Sequence, residues 1–413
     1  MINLHTLPNG LRLVMERIPF VRSVSFGLWI NTGSRHENTK NNGISHFVEH
    51  MMFKGTEKRT AHDIADTMDA VGGQLNAFTS KEQTCYFTRT LDTHLDIAMD
   101  VISDMFFNSK FDQEEIDKER NVILEELNMY EDTPEDLVVD LLHDKVYPNH
   151  PLGMSILGTA ETISSFKQED FLTFIKNRYT PQNVVIAITG NFDENEVLEK
   201  VTAIFGQFKG DCIDISIPPG AYSPGFSNKE KDIEQVHLCM GFPGIAAGTD
   251  DSYALAAVNT MLGGGMSSRL FQKIREQHGL VYTVYSYNAS YEDTGLFTIY
   301  AALNPAQLQE VMSLISQEVQ GIFTDKITES QLAKTKEQLK SNFLLSLESV
   351  AARMNSIGRT MLMQNKIITP DELVEKIDAI NMDSFYNICD TVFKMDQVSI
   401  SLVGKGPLPS CNF

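Results

Sequence analysis

One order of elements runs through this chain twice, and that repeat limits its fold more than any other feature. In the first half, SVSFGLWINTG reads as a strand, and a polar loop leads from it to an apolar-periodic helix around ISHFVEHMM. In the second half, QVHLCMGFPG reads as a strand and YALAAVNTML as the helix that follows. Next, TCYFTRTLDTHLDIAMDVISDMF is answered by GLFTIYAALNPAQLQEVMSLISQEV, each a strand, a turn and an amphipathic helix. A second helical stretch closes each series, DQEEIDKERNVILEELNMY and TESQLAKTKEQLKSNFLLSLE. An order that recurs over roughly 200 residues marks a duplicated unit. The fold class expected is α+β, with two homologous domains, each an antiparallel or mixed sheet flanked by helices.

Between the halves, KGDCIDISIPPGAYSPGFSNKEKD (209–232) is rich in Gly, Pro, Ser and charge, the composition of a connector. The expected division is a first domain over 1–208, a linker over 209–232 and a second domain over 233–413. Charge then removes whole classes of partner. With 34 basic against 55 acidic residues the net charge is −21, which repels phosphate backbones and anionic lipid. No apolar run reaches the roughly 18 residues of a membrane span. Neither nucleic acid nor a membrane is expected as a partner. Cys85, Cys212, Cys239, Cys389 and Cys411 are scattered and form no C-x-x-C pair, so they read as reduced thiols. MINLHTLPNGLRLVMERIPF carries neither a secretory nor an organelle-import pattern, and a bacterial cytoplasm is the expected location.

The two halves differ where chemistry enters. Setting HFVEHM (46–51) against AAVNTM (256–261) matches Val48 with Val258 and Met51 with Met261, while His46, Glu49 and His50 face Ala256, Asn259 and Thr260. If the repeat holds, the polar trio is dispensable for the fold. On a helix His46 and His50, four residues apart, project from one face, and Glu49 flanks them. Burying two imidazoles and a carboxylate without partners is costly, so a bound cation is the better account. H-x-x-E-H is the inverted zincin motif, and a catalytic zinc takes three protein ligands and leaves a fourth position for water. The third ligand has to come from a separate element. FDQEEIDKERNVILEELNMYEDTPED offers acids at 114, 115, 119, 125 and 126. Glu119 and Glu126 are two turns apart and share a helix face, so one can ligate while the other orients it. That narrows the choice without settling it.

The chain resembles the M16 (pitrilysin) peptidase family, in its branch similar to the mitochondrial processing peptidase. The family places its ligand glutamate 76 residues after the second histidine, which here is Glu126, and an acid seven positions earlier, here Glu119. MFKGT, GGQLNAFTSKEQTCYF, NHPLG and LGGGMSSRLFQKIRE follow the family pattern in order. The resemblance implies a metalloendopeptidase whose two domains face each other as a clam-shell around short or unfolded peptides. It implies one Zn²⁺ per chain on His46, His50 and Glu126, Glu49 as general base and Glu119 behind the ligands. GGQLNAFTSKEQTCYF (72–87) reads as a strand opened by a Gly-Gly turn, and the resemblance makes it the edge that pairs with an extended substrate through Asn76 and Ala77. From IREQHGLVY it implies Arg275 and Tyr282 as substrate contacts. GGGMSS (263–268) lacks the P-loop frame and reads as a flexible turn.

Two other readings compete. One is a non-catalytic relative, such as a core or partner subunit, although such chains typically have a broken ligand set. The other is a peptide-binding protein with structural zinc, which would normally show four protein ligands, often cysteines. The intact set favours a self-sufficient enzyme, and the resemblance implies a homodimer.

Overall fold

A computed structural model describes residues 2–211, 213 and 217–406; Cys212, Cys411 and part of the 209–232 connector lie outside the described residues. Cys85, Cys239 and Cys389 are buried free thiols. No helix among the described residues is long and apolar enough to cross a membrane.

The described strands form two sheets. The first comprises β1 (Ile2–Thr6), β2 (Arg12–Arg17), β3 (Ser23–Ile30), β4 (Gln74–Thr79), β5 (Thr84–Leu91) and β6 (Val184–Gly190), in the order β1-β2-β6-β3-β5-β4. The second comprises β7 (Phe226–Glu230), β8 (Val236–Pro243), β9 (Val281–Ser290), β10 (Gly295–Leu303) and β11 (Ser399–Gly404), in the order β7-β11-β8-β10-β9. Setting β1 aside, the two orders are the same. Each sheet also has one parallel pair at the same place, β2 with β6 and β7 with β11, and antiparallel pairing elsewhere. The repeat in the sequence is thus a repeat of topology, and the fold is α+β with two mixed sheets.

The central strands are buried on both faces, which explains why VVIAITG in β6 and GLFTIYAAL in β10 read as continuous apolar runs. On one face of the first sheet, Phe26, Leu28, Ile30, Ile186 and Ile188 pack with the helices Ile44–Met51 and Leu95–Asn108. Val14, Trp29, Cys85, Val185 and Ala187 point to the opposite face. That face is covered by the helix Val350–Gln364 from the second half of the sequence. Its buried Val350, Met354, Ile357, Gly358, Met361 and Leu362 recur at three- and four-residue steps, a single stripe. Gly358 is needed there, since a Cβ would lie 2.3 Å from Trp29 Nε1. Polar contacts fix both ends: Arg353 pairs with Glu16 at 2.6 Å, and Arg12 donates to Met361 O at 3.2 Å.

The second sheet mirrors this arrangement. Leu238, Met240, Phe242, Phe297 and Ile299 pack on one face with helices of the second half. On the other, Cys239, Leu296, Tyr300 and Val403 meet Leu137, Val138, Leu142 and Val146 of the helix Pro134–Val146, which comes from the first half. Ser401 Oγ donates to Val138 O at 2.6 Å and Tyr147 OH to Gly295 O at 2.8 Å.

The compact units therefore do not follow the two halves of the sequence. One unit is Met1–Leu127, Met154–Ile217 and Ser346–Thr369; the other is Asn128–Gly153, Pro218–Leu345 and Pro370–Phe413. The connector expected over 209–232 also differs, because β7 lies within it and pairs with β11. FSNKE is polar and half-exposed, as an edge strand can be, and composition alone does not separate it from a linker.

Candidate metal centre

The helix Ile44–Met51 begins at Gly43, whose φ is +93°. A Cβ at Gly43 would lie 2.7 Å from Leu157 O and 2.9 Å from the Cα of Gly158, so only glycine fits. Glycine has no side chain with which to cap the helix, and Glu37 does so from the preceding loop. Its Oε1 accepts from Ser45 N–H at 2.8 Å, and its Oε2 accepts from Gly43 N–H at 2.7 Å and from Asn42 Nδ2 at 3.0 Å. Burial raises the Glu37 pKa, and bonds from Ser45, Gly43 and Asn42 work against that rise. Sequence reading passes over Glu37 because the cap falls outside the local S/T-x-x-E frame.

From this anchored start, Ile44, Phe47, Val48 and Met51 turn into the core. His46 is buried, and Glu49 and His50 are half-buried. The third donor comes from the helix Gln113–Glu131. Glu126 Oε2 lies 3.8 Å from His46 Nε2 and 3.6 Å from His50 Nε2, and the three donor atoms lie within 4.8 Å of one another. A tetrahedral zinc with bonds of about 2.0–2.1 Å holds its ligand atoms about 3.4 Å apart. The histidine–glutamate separations, 3.8 and 3.6 Å, are close to that, and the donor set of two imidazoles and a carboxylate has the chemistry to hold the ion.

Glu119, two turns before Glu126, holds His50 from behind. Its Oε1 lies 2.8 Å from His50 Nδ1 and its Oε2 2.6 Å from Lys54 Nζ. With Nδ1 engaged by a carboxylate, His50 presents Nε2 toward Glu126, the arrangement usual for a metal-binding histidine. Glu49 is held from its other flank, where Thr79 Oγ1 on β4 donates to its Oε2 at 2.5 Å. Thr79 and Lys54 carry no sequence signal for these contacts, which join elements far apart in the chain or follow the motif on a turn.

The electrostatics separate the two imidazoles. Burial, aided by the neighbouring His50, pushes the His46 pKa down to about 3, so His46 is neutral and able to ligate. Burial acts the same way on His50, but the Glu119 hydrogen bond and the charges of Glu119, Glu126 and Glu49 outweigh it and raise the pKa. For Glu119, burial would raise the pKa, yet the bonds from His50 and Lys54 hold it below the usual value. Glu49 is raised, by burial first, against the Thr79 bond and the charge of His50.

Asn76 and Ala77 lie on β4, the edge strand of the first sheet, just upstream of Thr79. The stretch 72–87, read as one strand, is instead a hairpin of β4 and β5. Ser80 makes the turn: its N–H and Oγ both donate to Gln83 O, at 2.8 and 3.0 Å. Arg275 and Tyr282 belong to the other unit. Arg275 sits on the π-helical stretch Phe271–Gln277, with its guanidinium 4.6 Å from the Phe271 ring centroid and 5.6 Å from that of Tyr282. Tyr282, on β9, is 78% exposed.

The sequence profile of the insulinase family, peptidase family M16, matches residues 12–160, and that of the M16 inactive domain matches residues 165–339. The chain belongs to peptidase family M16. It is 43% identical over 410 residues to YmxG of Bacillus subtilis, named an uncharacterized zinc protease, across 99% of this chain and 100% of that protein. A Streptomyces coelicolor protein with the same description is 38% identical over 408 residues, covering 97% of this chain and 88% of its own. In fold, the chain is similar to a protease from Helicobacter pylori, with a TM-score of 0.89 at 23% identity over 98% of this chain and 99% of that one. It is also similar to a peptidase M16 inactive domain from Pseudomonas fluorescens, with a TM-score of 0.91 at 18% identity over 99% and 100%.

The second half of this M16 chain shows how the trio's positions settle without ionisable groups. Thr260 Oγ1 turns back to Ala256 O at 2.9 Å on the helix Asp251–Leu262. Asn259 Oδ1 accepts from Ser286 Oγ on β9 at 2.7 Å. β9 occupies the place in its sheet that β4 occupies in the first, so the Asn259–Ser286 bond parallels Glu49–Thr79 with a neutral amide in place of the carboxylate.

Proposed function

We propose that the chain is a zinc-dependent metalloendopeptidase that cleaves short or unfolded peptides in a closed chamber, as a homodimer with one Zn²⁺ per chain in the bacterial cytoplasm. The observation that carries this reading is the convergence of His46, His50 and Glu126, with Glu49 beside them and Glu119 behind His50. The M16 family and its zinc-protease relatives support it.

Zinc held by His46, His50 and Glu126 would supply Lewis acidity to the scissile carbonyl and to the attacking water. The chain's own groups do the rest. With Thr79 on Oε2, Glu49 keeps Oε1, which has no hydrogen-bond partner among the described residues, to take a proton from water and later give it to the leaving amine. Glu119 keeps His50 in the tautomer that offers Nε2. The outer edge of β4, at Asn76 and Ala77, takes an extended peptide backbone as an added strand. Zinc content by elemental analysis, together with hydrolysis of a quenched peptide before and after chelation, tests the reading. One zinc per chain and chelator-sensitive, zinc-restored hydrolysis are expected; full activity in metal-free protein would remove it.

Arg275 and Tyr282 are proposed to hydrogen-bond the substrate, an assignment motivated by the family resemblance and by the exposure of Tyr282. Arg275→Ala and Tyr282→Phe are expected to lower kcat/KM by about 10-fold or more, as lost transition-state or substrate contacts do, with zinc content unchanged. Unaltered kinetics in both variants would show that the pair only braces the π-helical turn.

A further inference from the structure

We propose that Lys54 is a positioning residue for the metal centre, confining Glu119 to the task of orienting His50; the proposal rests on the reading of His46, His50 and Glu126 as zinc ligands. Lys54 lies four residues beyond His50, where the helix Ile44–Met51 continues into hydrogen-bonded turns: Phe53 N–H donates to His50 O and Lys54 N–H to Met51 O, both at 3.1 Å. That spacing sets the two side chains on one flank, and both reach Glu119. His50 Nδ1 takes Oε1 at 2.8 Å and Lys54 Nζ takes Oε2 at 2.6 Å. Among the described residues, Lys54 is the cation paired with Glu119.

The Glu119 side chain is only 6% exposed, so with Lys54 in place its Oε2 depends on that partner more than on water. A buried carboxylate with one oxygen unsatisfied rotates toward whatever donor or cation is near. The ring N–H at His50 Nδ1, 2.8 Å from Oε1, is in reach of such a movement. A turn of the carboxylate about that bond would change how His50 presents Nε2. Lys54 blocks it by giving the second oxygen its own fixed partner. Its charge also offsets one of three carboxylates gathered here, Glu49, Glu119 and Glu126.

A lysine near a divalent ion also repels it, so the sign of the net effect needs deciding. The Lys54 side chain is 29% exposed, and solvent screens that repulsion. Loss of a partner that orients a metal ligand, here Glu119, typically costs about 10–100-fold in affinity, and Lys54, one step further out, acts at the lower end of that range. Orientation therefore dominates.

Zinc affinity is measured by competition with a chromophoric chelator for the wild type, Lys54→Met and Lys54→Arg, with melting temperatures of the metal-free proteins alongside. Lys54→Met is expected to bind zinc about 10-fold more weakly, and Lys54→Arg within a few-fold of wild type. Metal-free melting should fall, since Lys54→Met leaves a buried carboxylate without its cation; the affinity of the folded protein separates the two effects, because a purely packing role would move melting and leave affinity alone. Should Lys54→Met fail to fold, Lys54→Gln, a neutral donor, is judged by the same thresholds. Zinc binding at least as tight as wild type in the neutral variant overturns the proposal. A wild-type protein that binds no zinc overturns the metal reading itself, and the two failures are distinguishable.

Discussion

Replacing Glu49 by glutamine is expected to leave zinc content unchanged and to lower peptide hydrolysis by about 10²–10⁴-fold, the usual contribution of a positioned general base. The substitution is conservative in every respect but one. Glutamine has the same length, and its amide oxygen can accept the Thr79 hydroxyl that now bonds Glu49 Oε2. Glu49 is outside the donor set of His46, His50 and Glu126, so the cation's protein ligands are untouched. What disappears is an oxygen able to take a proton. Stability should hold or rise, because burial disfavours the carboxylate that is removed. His50→Ala gives the contrasting result: one donor is lost, Glu119 and Lys54 are left facing a gap, and both zinc and activity should go. Elemental analysis and turnover of a quenched peptide separate the two cases. A Glu49→Gln enzyme cleaving at the wild-type rate would falsify the base assignment.

The sequence is most legible where a relation runs along one element. Four residues on a helix bring His46 and His50 to one face, and seven bring Glu119 and Glu126 to one face, whatever the rest of the chain does. Choosing Glu126 from the acids at 114, 115, 119, 125 and 126 needs more than periodicity, since the carboxylates differ only in what stands opposite them. The repeat is legible for a similar reason, because strand and helix patterns recur in order and the two sheets share a strand order. Contacts that join distant elements are not legible. Glu37 caps a helix from a loop and Thr79 reaches Glu49 across 30 positions, so no local pattern marks them. The hairpin of β4 and β5 was hidden by a four-residue polar turn with neither Gly nor Pro. The helix Val350–Gln364 is the clearest case. Its apolar stripe says that a face will be buried; it does not say against which sheet, and both sheets have a bare face to cover.

That helix carries the second large expectation: residues 1–208 made alone should fail to form a stable first sheet, although the sequence divides there. Such a fragment retains every strand of the sheet and the whole metal-binding set, yet lacks Met354, Ile357, Met361 and Leu362. Burial of each such side chain is worth about 1.5–3 kcal/mol, and a domain's net stability is only about 5–15 kcal/mol. Losing four of them removes a sum comparable to the whole. It also exposes Val14, Trp29, Val185 and Ala187 as one apolar face. Trp29 is the only tryptophan in the chain and is 1% exposed in the complete fold, so its fluorescence reports on this face directly. The fragment should emit at the long wavelength of solvated indole, melt without a cooperative transition and lose tight zinc binding. Co-expression with residues 209–413 should restore the short-wavelength emission, because the missing helix returns with them. Cooperative melting and buried-indole emission from residues 1–208 alone would mean that the exchanged helix is an ornament on a self-sufficient domain. The opposite outcome would tie the metal site's integrity to a segment more than 200 positions away in the chain, since the helix that covers Trp29 closes the sheet from which β4 and Thr79 reach Glu49.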